Sequence, residues 1–142
     1  MVLTESKVEN FIRDYLIKKG WKITNVPKTD GMHGVDIEAS HPTWKKKYFI
    51  ETKGESKSHP TQVVHNSFWS ILGQILTRMD IGGNQKNKSR FYGIGIPKSW
   101  EKIFKYKIKN MKFGWQLLKL RVFLVDSDGG VEEKPYSYFL KK

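Results

Sequence analysis

Two short stretches that read as strands, the first alternating cleanly between apolar and polar residues, lie between two segments of helical period. That arrangement restricts the chain to a mixed sheet carrying helices. In the first stretch Val35, Ile37 and Ala39 share one face, and Asp36, Glu38 and Ser40 the other. In the second, Tyr48, Ile50 and Thr52 oppose Phe49, Glu51 and Lys53. The Pro- and Lys-rich segment His41 to Lys47 between them reads as a turn, which makes the pair a hairpin. A helix is expected from about Thr4 to Lys19, with Thr4 as its cap, Val8, Phe11, Ile12, Tyr15 and Leu16 as its apolar stripe, and Gly20 as its stop. A strand is expected over Trp21 to Val26. A second helix is expected from about Thr61 to Met79, a buried strand over Phe91 to Ile96, and a third helix from about Ser99 to Lys112. Leu120 to Val125 reads as another strand and Tyr136 to Leu140 as an edge strand. The order α-β-β-β-α-β-α-β predicts an α/β fold, a mixed sheet flanked by helices.

With 142 residues, one domain is expected over 1–142, its core about 4–97 and its basic helix and strands 98–142. Apolar runs are too short to cross a membrane, and Thr4 to Asn10 is too polar for a secretory leader. The absence of cysteine removes disulfides, thiolate nucleophiles and Cys-containing zinc sites, so a cytoplasmic setting is expected. The net charge of +12 points to a polyanionic partner. It is unevenly placed: residues 1–80 carry 12 basic and 9 acidic side chains, and residues 81–142 carry 14 and 5.

Chemistry concentrates in the hairpin. A turn at about His41 to Lys46 sets Asp36 opposite Glu51, with Cβ atoms ~5 Å apart. Two carboxylates that close repel unless a cation sits between them, and oxygen ligands of this kind suit Mg²⁺ or Mn²⁺. Lys53 leaves the same strand face as Glu51, where an ammonium can orient water or stabilise charge on a phosphate. In the rival reading these are exposed members of a half-solvated sheet, with Lys53 their diagonal salt-bridge partner.

Gly34-Val35-Asp36, fourteen residues, then Glu51-Thr52-Lys53 resembles the signature of the PD-(D/E)XK nucleases, the restriction-endonuclease-like superfamily. The family core, α-β-β-β-α-β, matches the expected elements over about residues 4–97. Val35 stands where the name-giving proline would be. The resemblance implies a Mg²⁺-dependent endonuclease acting on DNA, with RNA also open. Asp36, Glu51 and the Thr52 backbone carbonyl would ligate the metal, and Lys53 would position water or the scissile phosphate. Glu9 on the first helix is the match for a further acid, and Gln74 on the second helix for a catalytic glutamine. Both also read as solvated helix surface. The alternative is a catalytically inactive nucleic-acid-binding module or subunit with the same fold.

Phosphate contacts are expected from Lys45, Lys46 and Lys47 in the hairpin and from the loop bearing Lys86, Lys88 and Arg90. Lys98, Lys102, Lys105, Lys109 and Lys112 would add a stripe on the third helix. Such rows hold a backbone without reading bases. The small size favours a homodimer or a partner protein that supplies specificity. Of the four histidines, none has metal-ligand spacing, and Asp126-x-Asp128-Gly129 reads as a turn because it lacks the closing Glu of a calcium loop.

Overall fold

The computed structural model describes residues 2–26, 34–81 and 90–141. Helix α1 (Glu5–Lys18) begins where the Thr4 hydroxyl accepts the Lys7 N–H at 3.3 Å. It ends before Gly20, whose φ of +93° is the left-handed turn that glycine allows. Strands β1 (Lys22–Ile23), β2 (Ile37–His41) and β3 (Lys46–Thr52) follow, then helix α2 (Pro60–Ile81) and strand β4 (Arg90–Pro97). A 3₁₀ turn (Lys98–Trp100), helices α3 (Glu101–Lys109) and α4 (Lys112–Leu118), strands β5 (Arg121–Val125) and β6 (Val131–Lys134) and a 3₁₀ turn (Tyr136–Leu140) complete the chain.

Among the described residues six strands lie side by side in sequence order. β1, β2 and β3 are antiparallel, β3–β4 and β4–β5 are parallel, and β6 returns antiparallel to β5. Parallel neighbours require long crossovers, and α2 and the α3–α4 pair supply them. The fold is therefore a mixed α/β sheet with helices on both faces. On one face α1 buries Val8, Ile12 and Leu16 against Ile37, Ala39, Tyr48, Ile50, Phe123 and Val125. On the other, α2, α3 and α4 cover Ile94, Ile96, Val122 and Leu124. β5 thus feeds alternate residues into both cores, so the segment after Pro97 completes the sheet. Among the described residues no helix is long and apolar enough to cross a membrane.

Three elements depart from the expected pattern, each for a tertiary reason. Only Lys22–Ile23 of the first strand pairs regularly, because side chains take over beyond it. The Asn25 amide donates to the Val35 and Asp36 carbonyls at 3.2 and 3.1 Å, and its oxygen accepts the Glu38 N–H at 2.8 Å. The third helix breaks at Asn110–Met111, which turns Trp115 into the core, where its indole N–H donates to the Tyr136 carbonyl at 2.9 Å. Tyr136–Leu140 is a 3₁₀ helix, and the edge strand is Val131–Lys134 instead. The tight turn lets Phe139 bury completely while the Tyr138 hydroxyl donates to Glu101 at 2.6 Å.

Two glycines set how closely α1 approaches the sheet. A Cβ on Gly95 would overlap the end of Ile12, and one on Gly54 would overlap the Glu5 backbone nitrogen. The second clash is with backbone, which cannot rotate away. Gly54→Ala is therefore expected to lower stability by about 1–3 kcal/mol. Urea unfolding measures this, and a loss below about 0.5 kcal/mol would show that α1 can shift freely.

Candidate active site

The hairpin register Ile37↔Ile50 brings Asp36 beside Glu51 at the open end of the hairpin. Both are buried, Asp36 at 5% and Glu51 at 1% exposure. The half-solvated sheet reading therefore fails, since these acids lie beneath α2 on the sheet face opposite α1. The Asp36 Oδ2 accepts the Thr52 N–H at 2.8 Å and the Thr52 hydroxyl at 3.1 Å. Glu51 Oε1 accepts the Arg78 Nε–H at 3.0 Å, and a second Arg78 nitrogen donates to the Gly34 carbonyl at 2.9 Å. One guanidinium from α2 thus ties the third strand to the loop that precedes the second.

Asp36 and Glu51 lie side by side across the hairpin, so each charge opposes the other. Burial first, then the Asp36 charge, push Glu51 from 4.5 up to about 7, and Arg78 opposes the rise. A raised native pKa means that ionising Glu51 costs the fold stability. The contribution is fully present below about pH 4.5 and is lost as pH rises through 7. Chemical unfolding in EDTA at pH 5 and pH 8 should show it as up to about 3 kcal/mol less stability at pH 8 than in a Glu51→Gln control. A pH-independent difference between the two proteins would contradict the site's electrostatics.

Glu9 and Arg13, one turn apart on α1, pair at 3.0 Å. Arg13 then reaches the Asn25 carbonyl at 2.9 Å and the Asp36 backbone carbonyl at 2.7 Å. Glu9 therefore adjoins Asp36 through a guanidinium rather than as a third carboxylate. Among the described residues, no group of three or more His, Asp or Glu side chains is placed to hold a metal ion. Lys53, just past the end of β3, reaches toward the start of α1, its Nζ 4.0 Å from Glu5. Gln74 is exposed on α2, one turn before Arg78. Arg78, one turn further along α2, is the side chain that contacts Glu51. Arg78, Arg13 and Asn25 escaped the sequence reading, although the four-residue spacings Glu9–Arg13 and Gln74–Arg78 were readable. Glu38 accepts from the Thr24 hydroxyl at 3.0 Å.

The basic residues divide. Lys45, with φ of 53°, and Lys47 are exposed at the hairpin turn, and Lys46 lies 5.7 Å over the Phe91 ring. Lys46 and Glu51 are five residues apart on β3, so the turn stands ~17 Å along the strand from the acid pair. Arg90 packs 5.5 Å over Phe49. Lys86 and Lys88 lie outside the described residues. The expected five-lysine stripe is broken: Lys98 pairs with Glu132 at 2.9 Å and Lys105 with Glu101 at 3.2 Å. Lys102 and Lys109 stay exposed on α3, and Lys112 starts α4.

No protein-family model and no curated protein matches the chain. Two solved structures do. An XisH family protein from Nostoc punctiforme PCC 73102 is 20% identical with a TM-score of 0.60. An fdxN element excision controlling factor protein from Anabaena variabilis is 22% identical with a TM-score of 0.59. Each match covers 88% of this chain and 95% of the other. At these identities the likeness is one of fold: this chain shares the folded frame of those two proteins.

Proposed function

We propose that the chain is a metal-dependent endonuclease of the restriction-endonuclease-like kind, hydrolysing phosphodiester bonds in DNA. The observation that carries the reading is the buried Asp36–Glu51 pair, with Lys53 two residues beyond it at the mouth of the hairpin. Burial, and after it the charge of Asp36, pushes Glu51 up to about 7, and a small dication beside the pair would relieve that crowding of negative charge. The donors are all hard oxygens, and one or two carboxylates suffice for Mg²⁺, which keeps waters in its remaining positions. Asp36, Glu51 and the Thr52 carbonyl are the residues that would hold Mg²⁺ or Mn²⁺. When bound, such an ion supplies Lewis-acid polarisation of a phosphodiester. Lys53, just past the end of β3, holds the phosphate by charge and stabilises the negative charge that develops on it. Arg78 neutralises Glu51 when the pair is ionised, and Arg13 fixes the backbone that carries Asp36.

The test is a cleavage panel of linear duplex, branched and single-stranded DNA, with RNA alongside, in Mg²⁺ or Mn²⁺. Hydrolysis that stops on chelation and in Asp36→Asn is expected. Intact substrates throughout would sink the reading.

One observation favours a second reading, a nucleic-acid-binding module without turnover. Arg78 already occupies Glu51, and Thr52 already occupies Asp36 Oδ2, so the pair is partly satisfied by the protein itself. The description of one structural neighbour as an excision controlling factor fits either reading, since control can be exerted by cutting or by binding. Calorimetry decides: a binder shows no Mg²⁺ heat that depends on Asp36 and Glu51.

A further inference from the structure

A second polar-aromatic cluster lies at the other end of β3, on the α1 face of the sheet. Tyr48, Phe91 and Arg121 rise from the first halves of β3, β4 and β5, and Tyr15 and Lys19 descend from the last turn of α1. With Trp21, Trp44 and Glu133 they enclose a cavity of about 350 Å³. Such a volume lies at the small end of ligand pockets.

Its floor is fixed and nearly neutral. Glu133 accepts the Tyr48 hydroxyl at 3.0 Å and the Tyr15 hydroxyl at 3.2 Å, and Arg121 pairs with it at 3.4 Å. Its wall is a built stack of rings. Trp21 is buried, 5.2 Å from Tyr48 and 5.1 Å from His41. His41 lies face to face with Trp44 at 3.9 Å and 9°. The Trp44 N–H donates to His41 Nδ1 at 3.3 Å, which holds the imidazole under the indole. Trp44 is 58% exposed all the same, so one large aromatic face at the hairpin tip is held ready and left bare.

The charge around the cavity selects the occupant. Lys19 sits 5.6 Å over the Tyr15 ring, and Lys46 and Arg121 sit 5.7 and 5.5 Å over Phe91. Those cations repel a cationic guest of the kind an aromatic cage otherwise attracts. Lys45 follows Trp44 in the same turn, and Lys19 lines the cavity itself. A flat uncharged ring system joined to phosphates suits this combination, with stacking on the indole and phosphates on the lysines.

We propose that the cavity bounded by Trp44, Trp21, Tyr48 and Phe91 takes one unpaired nucleobase of a nucleic acid strand, its flanking phosphates held by Lys45 and Lys19. The inference goes beyond the cleavage reading and shares with it only the class of partner. It requires no metal, because the pocket and the acid pair occupy opposite faces and opposite ends of β3.

The experiment is fluorescence anisotropy in EDTA on three labelled duplexes: fully paired, with one bulged base, and with an abasic bulge. Wild type should bind the bulged base several-fold more tightly than the abasic bulge. Trp44→Ala should erase that preference, a loss between about fivefold and a hundredfold, since stacking on an aromatic side chain is worth roughly 1–3 kcal/mol per base. Trp44→Phe, which keeps a π-face, should retain most of it, and the salt dependence should persist in both variants because the lysines remain. Deoxyribo- and ribo-versions of the probe tell which strand supplies the base. Equal affinity for the based and abasic bulges in wild type, or an undiminished preference in Trp44→Ala, overturns the proposal. Neither result bears on metal-dependent cleavage, which the EDTA arm leaves out and the cleavage panel tests separately.

Discussion

Glu51→Gln should lower metal-dependent cleavage by about a hundredfold to a thousandfold, the range seen when one preorganised group is removed from a reacting centre. The same substitution should make the metal-free protein more stable above neutral pH. Glutamine keeps the size of the side chain and the oxygen that accepts from Arg78 at 3.0 Å. It removes the charge that burial and Asp36 oppose, the cause of the rise to about 7. At pH 8 the unfolding midpoint should climb by roughly 3–8 °C, while at pH 5 the two proteins should unfold nearly together. Opposite signs for activity and stability would mark a site whose strain serves its function. A variant that loses both means that Glu51 holds the fold, and one that keeps its activity means that the chemistry lies elsewhere. Lys53→Ala provides the companion measurement. It should lose activity to a comparable degree with little change in stability, because Lys53 is partly exposed and its contact with Glu5 is long, at 4.0 Å.

Arg78→Ala should produce the largest stability loss, and one that depends on pH. Arg78 is the side chain that donates to Glu51, and it also clamps the Gly34 carbonyl at 2.9 Å. Removing one partner of a buried pair leaves an uncompensated charge, at a cost of about 3–5 kcal/mol. That cost applies only while Glu51 is ionised. The loss should therefore be full at pH 8 and shrink towards the value of the lost Gly34 hydrogen bond at pH 5, where Glu51 carries its proton. Urea unfolding of Arg78→Ala against wild type at the two pH values measures the difference. A penalty that is the same at both would assign Arg78 a packing role and detach it from the acid pair. The double variant Arg78→Ala with Glu51→Gln should recover most of the loss at pH 8, because the stranded charge is gone.

The site shows how far one-dimensional pattern reaches. Asp36 and Glu51 could be paired from the sequence because a hairpin obeys a strict two-residue period and a short turn, which together leave one register. Glu9 and Gln74 lie on α1 and α2, and it is Arg13 and Arg78, one turn further along, that contact Asp36 and Glu51. Helix faces are legible from spacing, whereas the turn that meets a given strand depends on how far the helix slides along the sheet. Gly95 and Gly54 set that slide for α1, and their close approaches are contacts between segments distant in sequence. The lysine stripe is interrupted by acids for a related reason. Glu132, which takes Lys98, arrives on β6, 34 residues later.

By itself the sequence determined the alternation of helices and strands, the pairing of Asp36 with Glu51, the excess of positive charge and the lack of any thiol chemistry. Each of these depends on neighbours within a turn or a hairpin, or on composition alone. Only the tertiary structure decided that the two acids are buried, that Arg78 and not Gln74 meets them, and that Arg13 stands between Glu9 and Asp36. It also decided that the helix after Pro97 breaks to bury Trp115. Those outcomes follow from the way α1 and α2 are pressed onto opposite faces of one sheet. Burial and charge pairing are set by whatever packs from across the fold, and no local period records it.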